Sequence, residues 1–335
     1  MTRYSRQELF APIGPEGQAK LRAARVLVVG CGALGSALAE TLTRAGVGRL
    51  TVVDRDLVEP SNLQRQSLFE EDDAAQARPK AMAAEARLRR INSDVDVKGL
   101  VADLDAAAAA DLVRDSDLVL DGSDNFEIRY VLNDVCLHAG VPWVYGACVA
   151  AHGAVLAVRP GRTPCLRCVV GEKPAPGTGE TCDTVGVVAP VVQAIAGVQG
   201  AEALKLLVGD TPALLPGLVT LDLWAGSFEV TDLSGREPWC PSCVEARYDY
   251  ATASAPGASV LCGREAVQLP AGEAVNLATL AARLRPAGEV VENEHLVRFR
   301  SPEAELVVFA DGRAIVKGVT DAAGARSVFA RYVGA

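Results

Sequence analysis

Histidine and positive charge are both scarce in this sequence of 335 residues, and each shortage argues against a class of function. The only histidines are His138, His152 and His295, and they do not support a histidine-based catalytic triad. Lysine and arginine number 33 against 42 acidic residues, which gives a formal net charge of −9. We therefore do not expect nucleic acid as a partner, and an anionic substrate must be met by local positive charge.

Long uncharged hydrophobic runs are also absent. The most apolar stretch, residues 185–209, is interrupted by Gln193, Gln199, Glu202 and Lys205. We therefore expect a buried helix there, with no membrane span and no membrane partner. The N-terminal residues lead directly into a polar stretch, so we expect no signal or transit segment and a cytoplasmic location. Nine cysteines in such a chain indicate metal binding or catalysis before disulfides.

Strands alternate with helices in the first half of the sequence. Strands are predicted at Arg25–Gly30, Arg49–Asp54, Val95–Val101, Asp117–Asp121 and Pro142–Gly146, and helices at Ala33–Ala45, Pro79–Ile91 and Asn125–Ala139. This alternation predicts an α/β fold with a doubly wound, Rossmann-like parallel sheet, whose ligands bind at the C-terminal strand ends. Beyond Ala150 the pattern changes to strands and loops punctuated by glycine and proline around the cysteines.

A linker-like stretch at residues 251–257 divides the chain into two predicted domains. We expect an ATP-binding domain over residues 1–250 and a small C-terminal α+β domain over residues 258–335. In the smaller domain, strands are predicted at Arg264–Leu269, His295–Arg300, Glu305–Phe309 and Ala314–Lys317, and helices at Leu277–Leu284 and Asp321–Tyr332. It has no His–Cys or paired-carboxylate cluster, so its sequence does not indicate a chemistry of its own.

A glycine-rich turn, Gly30-Cys31-Gly32-Ala33-Leu34-Gly35, follows the first predicted strand. Its three glycines would let the backbone approach a phosphate and supply amide donors. Asp54 ends the second strand, where a carboxylate can accept hydrogen bonds from ribose hydroxyls. Taken alone, this pattern is as typical of an NAD-dependent oxidoreductase as of an ATP-binding enzyme.

The stretch Ser61-Asn62-Leu63-Gln64-Arg65-Gln66 adds polar groups that hydride transfer does not require. Arg65 and Lys80 could neutralise the β- and γ-phosphates of ATP. Asp124 follows a strand and is expected at the C-terminal edge of the sheet, where a carboxylate can hold Mg²⁺. Arg65 could instead be a surface charge, and Asp124 could cap the next helix. The combination favours ATP over NAD.

Two Cys-x-x-Cys pairs, Cys165/Cys168 and Cys240/Cys243, form a second candidate site. Together they could supply the four thiolates of a closed, structural Zn²⁺ site that pins the second half of the main domain. A redox pair is the alternative, but two pairs of equal spacing favour zinc.

Cys182 stands apart from these pairs in a glycine-rich loop before the long apolar helix. A thiol at such a helix N-terminus could act as a nucleophile, or it could be an inert, partly exposed cysteine. The remaining cysteines occupy apolar contexts and are predicted to fill the core, namely Cys31, Cys136, Cys148 and Cys262.

Together these motifs resemble the ThiF/MoeB/HesA group, which is related to the ubiquitin-activating enzymes. The resemblance covers about residues 3–244. Besides the motifs above, it rests on Arg3-Tyr4-Ser5-Arg6-Gln7, Asp54-Arg55-Asp56, Pro79-Lys80, Asp121-Gly122-Ser123-Asp124-Asn125-Phe126 and Thr181-Cys182. Ala33 departs from the family pattern, which often has glycine there. The resemblance does not explain residues 258–335.

The resemblance implies ATP-dependent adenylation of the C-terminal Gly-Gly carboxylate of a ubiquitin-like sulfur-carrier protein, of the molybdopterin-synthase or thiamine type. It implies that the nucleotide is contacted by Gly30, Gly32, Ala33, Gly35, Asp54, Asp56, Asn62, Arg65, Gln66, Lys80, Asp124 and Asn125. Arg65, Lys80, Asp124 and Cys182 would act in catalysis, and in a homodimer Arg6 would reach the partner subunit's ATP. A sulfurtransferase or a cysteine desulfurase would be a further partner. The alternatives are a tRNA-nucleoside dehydratase of the same superfamily, an NAD-dependent oxidoreductase, and a non-catalytic subunit that dimerises with an active relative.

Overall fold

A computed structural model describes residues 3–174, 182–235, 239–252, 259–261, 266–272, 274–302 and 304–334. The chain divides into two compact units. The first unit comprises Met1–Glu70 and Pro79–Ser254, and the second comprises Glu71–Arg78 and Ala255–Ala335. Each unit contains its own β-sheet.

An eight-stranded sheet forms the centre of the first unit. Its strands are β1 (Arg25–Val29), β2 (Arg49–Asp54), β3 (Asp96–Val101), β4 (Leu118–Asp121), β5 (Trp143–Val149), β6 (His152–Val158), β7 (Gly217–Asp222) and β8 (Ser227–Asp232). They lie in the order β3-β2-β1-β4-β5-β6-β7-β8. The strands from β3 to β5 are parallel, and β6, β7 and β8 extend the sheet antiparallel. The winding reverses between β1 and β4, which is where such sheets bind ligands.

Ten α-helices lie along the chain between its start and residue 208 in the described residues, and the longer ones of the first unit each bury an apolar face. They are α1 (Ser5–Glu8), α2 (Gly14–Ala23), α3 (Ala33–Ala45), α4 (Glu71–Ala75), α5 (Lys80–Ile91), α6 (Ala106–Arg114), α7 (Phe126–Ala139), α8 (Leu166–Val170), α9 (Cys182–Val185) and α10 (Ala189–Val208). Of these, α4 belongs to the second unit. Tyr130, Trp143 and Leu156 are among the buried side chains of the core beside α7.

Helix α10 is the long apolar helix predicted from the sequence. By length and composition alone it could cross a membrane, and half of its most apolar window is buried within the fold. It packs against α3, β5 and β6. Its buried Gln199 donates from Nε2 to the carbonyl oxygens of Asp121 and Val144, at 2.8 and 2.9 Å. These contacts make α10 a core helix of the first unit.

The second unit contains a six-stranded antiparallel sheet. Its strands are β9 (Ser259–Leu261), β10 (Ala266–Leu269), β11 (Glu289–Glu292), β12 (Leu296–Arg300), β13 (Glu305–Phe309) and β14 (Ala314–Lys317), in the order β11-β12-β13-β14-β10-β9. Two helices, α11 (Leu277–Leu284) and α12 (Ala322–Tyr332), complete it. Leu280, Phe299, Val308 and Val316 lie in its core.

The structure confirms the predicted fold class, with a Rossmann-like sheet followed by a small antiparallel α+β unit. Several features were not predicted, and three of them show why. Strand β11 contains only two apolar residues, Val290 and Val291, and forms a sheet edge, so its sequence signal is weak. Helix α2 has a weak amphipathic pattern. The grouping of Glu71–Arg78 with the second unit depends on through-space packing. Residues 253–258 of the predicted linker lie outside the described residues.

Candidate functional site

The glycine-rich turn after β1 packs tightly against the loop after β4. Gly30 has a φ of +85°, and a Cβ there would lie 2.7 Å from the carbonyl oxygen of Gly122. A Cβ on Gly35 would lie 1.8 Å from the carbonyl oxygen of Gly30. By contrast, a Cβ on Gly32 would meet only Gln66 Nε2, at 3.9 Å. Gly30 and Gly35 are therefore required by packing, while the space at Gly32 and the start of α3 at Ala33 suits a phosphate.

Asp54 ties the glycine-rich turn to the end of β2. Its Oδ2 accepts a hydrogen bond from the backbone N–H of Cys31, and its Oδ1 accepts one from that of Asp56, both at 2.6 Å. Burial raises the pKa of Asp54, although the nearby Lys80 lowers it. The carboxylate predicted to contact ribose therefore also fixes the shape of the turn.

Lys80 is a buried cation held by Asp56. Its Nζ lies 3.3 Å from Asp56 Oδ2, and the lysine side chain is 4% exposed. Its backbone N–H donates to the Asp56 carbonyl at 2.9 Å, so the first residue of α5 is fixed at two points. The neighbouring Arg55 donates from Nη1 to Asp103 Oδ1 at 2.8 Å. Beside the end of β2, two cations are thus each paired with a carboxylate, Lys80 with Asp56 and Arg55 with Asp103.

The loop at residues 61–66 is shaped by its own side chains. Buried Asn62 accepts a hydrogen bond at Oδ1 from the backbone N–H of Glu59, at 3.1 Å. Half-buried Arg65 donates from Nη1 to the Ser61 carbonyl at 3.0 Å. Buried Gln66 places its amide near Gly32, and among the described residues its Oε1 has no hydrogen-bond partner. Asn62 therefore maintains the loop, and Gln66 faces the turn.

A buried ion pair shapes the loop after β4. Asp121 is fully buried and accepts hydrogen bonds from Ser123 N and Oγ, at 2.9 and 2.6 Å, and from Arg129 Nε at 3.1 Å. Arg129 also donates from Nη2 to the Ser123 carbonyl at 2.8 Å, and its guanidinium lies 5.3 Å from the ring centres of Phe126 and Tyr145. Burial raises the pKa of Asp121, although Arg129 lowers it.

Asp124 occupies this loop at the carboxyl end of β4 and is exposed. The alternative that it caps the next helix is wrong. Asn125 is the cap of α7, because its Oδ1 accepts from the backbone N–H of Ile128 at 3.1 Å. Burial lowers the pKa of Arg55, but Asp103, Asp56 and Asp124 raise it, and the net shift is upward. Asp124 is thus close enough to act electrostatically on Arg55, beside the end of β2.

Cys182 is the first residue of the short helix α9. Its thiol donates to the backbone carbonyl of Cys148 at 3.4 Å. The prediction that Cys148 fills the core is wrong, because it is only half-buried at the carboxyl end of β5. Burial, followed by the neighbouring Cys182, raises the pKa of Cys148 to about 12. Cys31 and Cys136 are fully buried as predicted, whereas Thr181 and Cys262 lie outside the described residues.

The four cysteines of the two pairs converge. All four Sγ atoms lie within 4.8 Å of one another, and the Cys165–Cys168, Cys165–Cys240 and Cys168–Cys243 separations are 3.9, 3.5 and 3.3 Å. A tetrahedral site with Zn–S bonds of about 2.3 Å has sulfurs about 3.8 Å apart, which lies within the range of these separations. Hydrogen bonds with Cys168 and Cys243, and then burial, raise the pKa of Cys165. The donor set fits a metal such as zinc.

Two polar residues of α7 hold this cluster and were not predicted. Asn133 Oδ1 accepts from the backbone N–H of Leu166 at 3.0 Å, in the first cysteine pair. Asp134 accepts from Ser242 Oγ at 2.7 Å, in the second pair, and from the backbone N–H of Tyr250 at 3.0 Å. An Asn-Asp pair within the apolar Phe126–Ala139 helix was the available sequence signal.

Arg6 lies on α1, far in sequence from the other candidate site residues, and its side chain is exposed. Two large apolar side chains that follow it are also exposed, with Leu9 at 73% and Phe10 at 61%. This arrangement leaves a cation beside an apolar patch on the surface of the first unit.

Known proteins resemble this chain in sequence and in fold. The ThiF family model matches residues 4–242. The chain is 47% identical over 337 residues to the sulfur carrier protein ThiS adenylyltransferase of Bacillus subtilis, covering 99% of each chain. It is 41% identical to the SAMP-activating enzyme E1 of Haloferax volcanii, covering 74% of this chain and 91% of that one. Among solved structures, E. coli MccB with ATP has a TM-score of 0.62 at 24% identity, covering 72% and 73% of the two chains, a likeness of fold alone.

Proposed function

The chain belongs to the ThiF family, and from that premise we propose that it uses ATP to adenylate the C-terminal glycine carboxylate of a ubiquitin-like sulfur-carrier protein of the thiamine type. The observation that carries this proposal is the 47% identity to the ThiS adenylyltransferase of Bacillus subtilis over 99% of both chains. That match includes the second unit. The family assignment favours adenylation over the NAD-dependent alternative.

The reaction begins with a problem of charge. A carboxylate that attacks the α-phosphate of ATP brings two anions together, so the site must screen them and hold them in line. Lys80 and Arg65 supply that positive charge, and Gly32 with the N-terminus of α3 receives a phosphate. The attacking carboxylate is already ionised near neutral pH, so no general base is needed. Pyrophosphate leaves as the acyl-adenylate forms.

Asp124 is the proposed ligand for Mg²⁺, which would neutralise phosphate charge. Its carboxylate is exposed at the carboxyl end of β4, which suits a hard cation. The buried pair of Asp121 and Arg129 holds the loop in which Asp124 lies. Gln66, whose buried Oε1 is unpaired among the described residues, faces the same turn as Gly32 and would orient the nucleotide.

Arg6 is proposed to act across a homodimer on the ATP of the partner subunit. Its exposure and the neighbouring Leu9 and Phe10 support an interface at α1, because large exposed apolar side chains mark association surfaces.

Cys182 is proposed to act after adenylation, in sulfur transfer, with a sulfurtransferase or cysteine desulfurase as sulfur donor. The four-cysteine cluster is proposed to hold structural zinc. Its four sulfur ligands would fill a tetrahedral site and leave no open position at the ion for a substrate.

ATP–pyrophosphate exchange tests the proposed function. The purified chain is incubated with ATP, Mg²⁺, labelled pyrophosphate and each of several carriers that end in Gly-Gly. We expect exchange with the thiamine-type carrier and none with the same carrier lacking its final glycine. Exchange that is equal with both carriers, or absent with every carrier, would reject adenylation of a carrier terminus.

A further inference from the structure

Arg55 lies at the carboxyl end of β2, between two carboxylates that already have proposed parts in ATP binding. Asp54, which ends the strand, is proposed to contact ribose, and Asp56 holds the buried cation Lys80. The ribose and the phosphates of ATP thus have proposed contacts on either side of Arg55, whereas the adenine base has none. Because adenine is bonded to the ribose, its contacts are expected beside Asp54.

The guanidinium of Arg55 is held by its neighbours. Its Nη1 donates to Asp103 Oδ1 at 2.8 Å, and its Nε lies 3.9 Å from Asp56 Oδ1. A guanidinium is planar and donates its hydrogen bonds within that plane. The bond to Asp103 therefore orients the group without using either of its faces. The side chains of Arg55 and Asp103 are 29% and 35% exposed, so a ligand can reach this pair from solvent.

Asp103 reaches Arg55 because β2 and β3 run side by side. Asp54 and Val101 are the last residues of the two strands that pair in register, and the backbone N–H of Ala102 donates to the Asp54 carbonyl at 3.3 Å. The two chains therefore leave the sheet together at its carboxyl edge, which is the edge where such sheets bind nucleotides.

The groups around Arg55 suit a flat aromatic ring. Ala102 and Leu104, on either side of Asp103, are partly buried apolar residues that pack on the core of the first unit. Burial lowers the pKa of Arg55, and the surrounding carboxylates, among them Asp124 in the loop after β4, raise it by more. Arg55 is thus a charged, planar group at the point where the chains after β2, β3 and β4 approach one another.

We propose that Arg55, oriented by Asp103, stacks on the adenine base of ATP. A guanidinium is attracted to the face of an aromatic ring both as a cation and as a plane, whereas the ammonium of lysine offers the charge alone. This role rests on the proposed function, because it takes Asp54 and Lys80 as the residues that contact the ribose and a phosphate of ATP. The base would then lie beside the ends of β2 and β3.

The variant Arg55→Lys tests stacking without removing the charge. In the full chain, calorimetry measures the dissociation constants of a non-hydrolysable ATP analogue and of ribose 5-triphosphate, which carries three phosphates on the same sugar but no base. We expect the dissociation constant of the analogue to rise about threefold to tenfold, as loss of one stacking contact predicts. The dissociation constant of ribose 5-triphosphate should not change, because the charge near its phosphates is kept.

Two further variants complete the test. Arg49→Lys is the matched control, because Arg49 pairs with Asp96 across the same two strands at their opposite end, at 3.0 Å, and it should leave both dissociation constants unchanged. Asp103→Asn keeps an oxygen acceptor but removes the charge that holds Arg55. It should raise the dissociation constant of the analogue alone, by a smaller factor than Arg55→Lys. Thermal unfolding shows that each variant keeps the fold.

An unchanged analogue affinity in Arg55→Lys overturns the stacking role, and so does an equal loss of affinity for the analogue and for ribose 5-triphosphate. An unchanged analogue affinity in Asp103→Asn overturns the positioning role of Asp103. Binding is measured without carrier, so these outcomes do not depend on whether the chain adenylates one. Failure of the unaltered chain to bind the analogue would reject the proposed function together with the stacking role.

Discussion

Arg129 and Asp121 form a fully enclosed ion pair, with Arg129 Nε 3.1 Å from Asp121 Oδ2 and side-chain exposures of 8% and 0%. Asp121 ends β4, and Arg129 lies in the first turn of α7, beyond the intervening loop. The pair also engages Ser123 through both residues. The loop between β4 and α7 is therefore held from both ends, and Asp124 lies within it.

This relationship predicts strong coupling between the two residues. Arg129→Met leaves Asp121 buried without its cation, so we expect the free energy of unfolding to fall by about 3–5 kcal/mol. The double variant Asp121→Asn/Arg129→Met removes both charges and should recover part of that loss. Urea denaturation of the two single variants and the double variant measures the coupling. Additive losses would show that the pair does not act as a unit.

Asp124 is predicted to be essential for adenylation and dispensable for folding. Its side chain is exposed, and Asn125, not Asp124, caps α7, so Asp124→Asn should leave thermal stability nearly unchanged. The rate of pyrophosphate exchange should fall on the order of 10²-fold or more, as loss of one preorganised charge in a reacting site typically causes. Glu127→Gln, on an exposed residue of the first turn of α7, is the control. Near-normal exchange in Asp124→Asn would remove this carboxylate from the mechanism.

The four-cysteine cluster is predicted to hold one zinc ion per chain. Cys243→Ser should lower the zinc content and the thermal stability together, because metal binding at such a site contributes directly to folding. Cys182→Ser should retain zinc, since Cys182 lies outside the cluster. Elemental analysis of the purified variants measures the content. Full zinc occupancy in Cys243→Ser, or none in the unaltered chain, contradicts the assignment.

Cys182 is predicted to serve a step after adenylation. Cys182→Ala should keep pyrophosphate exchange while lowering the yield of carrier thiocarboxylate in the presence of a sulfur donor. Its neighbour Cys148 offers a matched control, since burial raises the pKa of that thiol to about 12 and disfavours the reactive thiolate. Cys148→Ala should therefore leave the yield close to that of the unaltered chain. An unchanged yield in Cys182→Ala would make Cys182 part of the scaffold.

Much of the fold was predictable because its signals are local. The helix Ala33–Ala45 and the strand Arg49–Asp54 have the predicted bounds, since periodicity and β-branched composition lie within each element. The gathering of the four cysteines was also predictable, since two pairs of equal spacing suit one tetrahedral site. The roles of Arg6, Arg65, Lys80 and Asp124 stay predictions.

Other features depend on contacts between distant parts of the chain and left little trace in the sequence. The sequence around Arg129 does not indicate that Asp121 will be its buried partner. The anchoring of both cysteine pairs by Asn133 and Asp134 joins residues far apart in sequence. The placement of Cys148 beside Cys182 follows from a backbone bridge between Ala150 and Val187.

The most direct test of the account is to follow the α-phosphate of ATP. The chain is mixed with carrier and with ATP labelled in its α-phosphate, and the carrier is separated under denaturing conditions. The account predicts label on the carrier, in an amount that falls when the final glycine is removed. ATP consumption without label on the carrier, or label that persists after removal of that glycine, would contradict it.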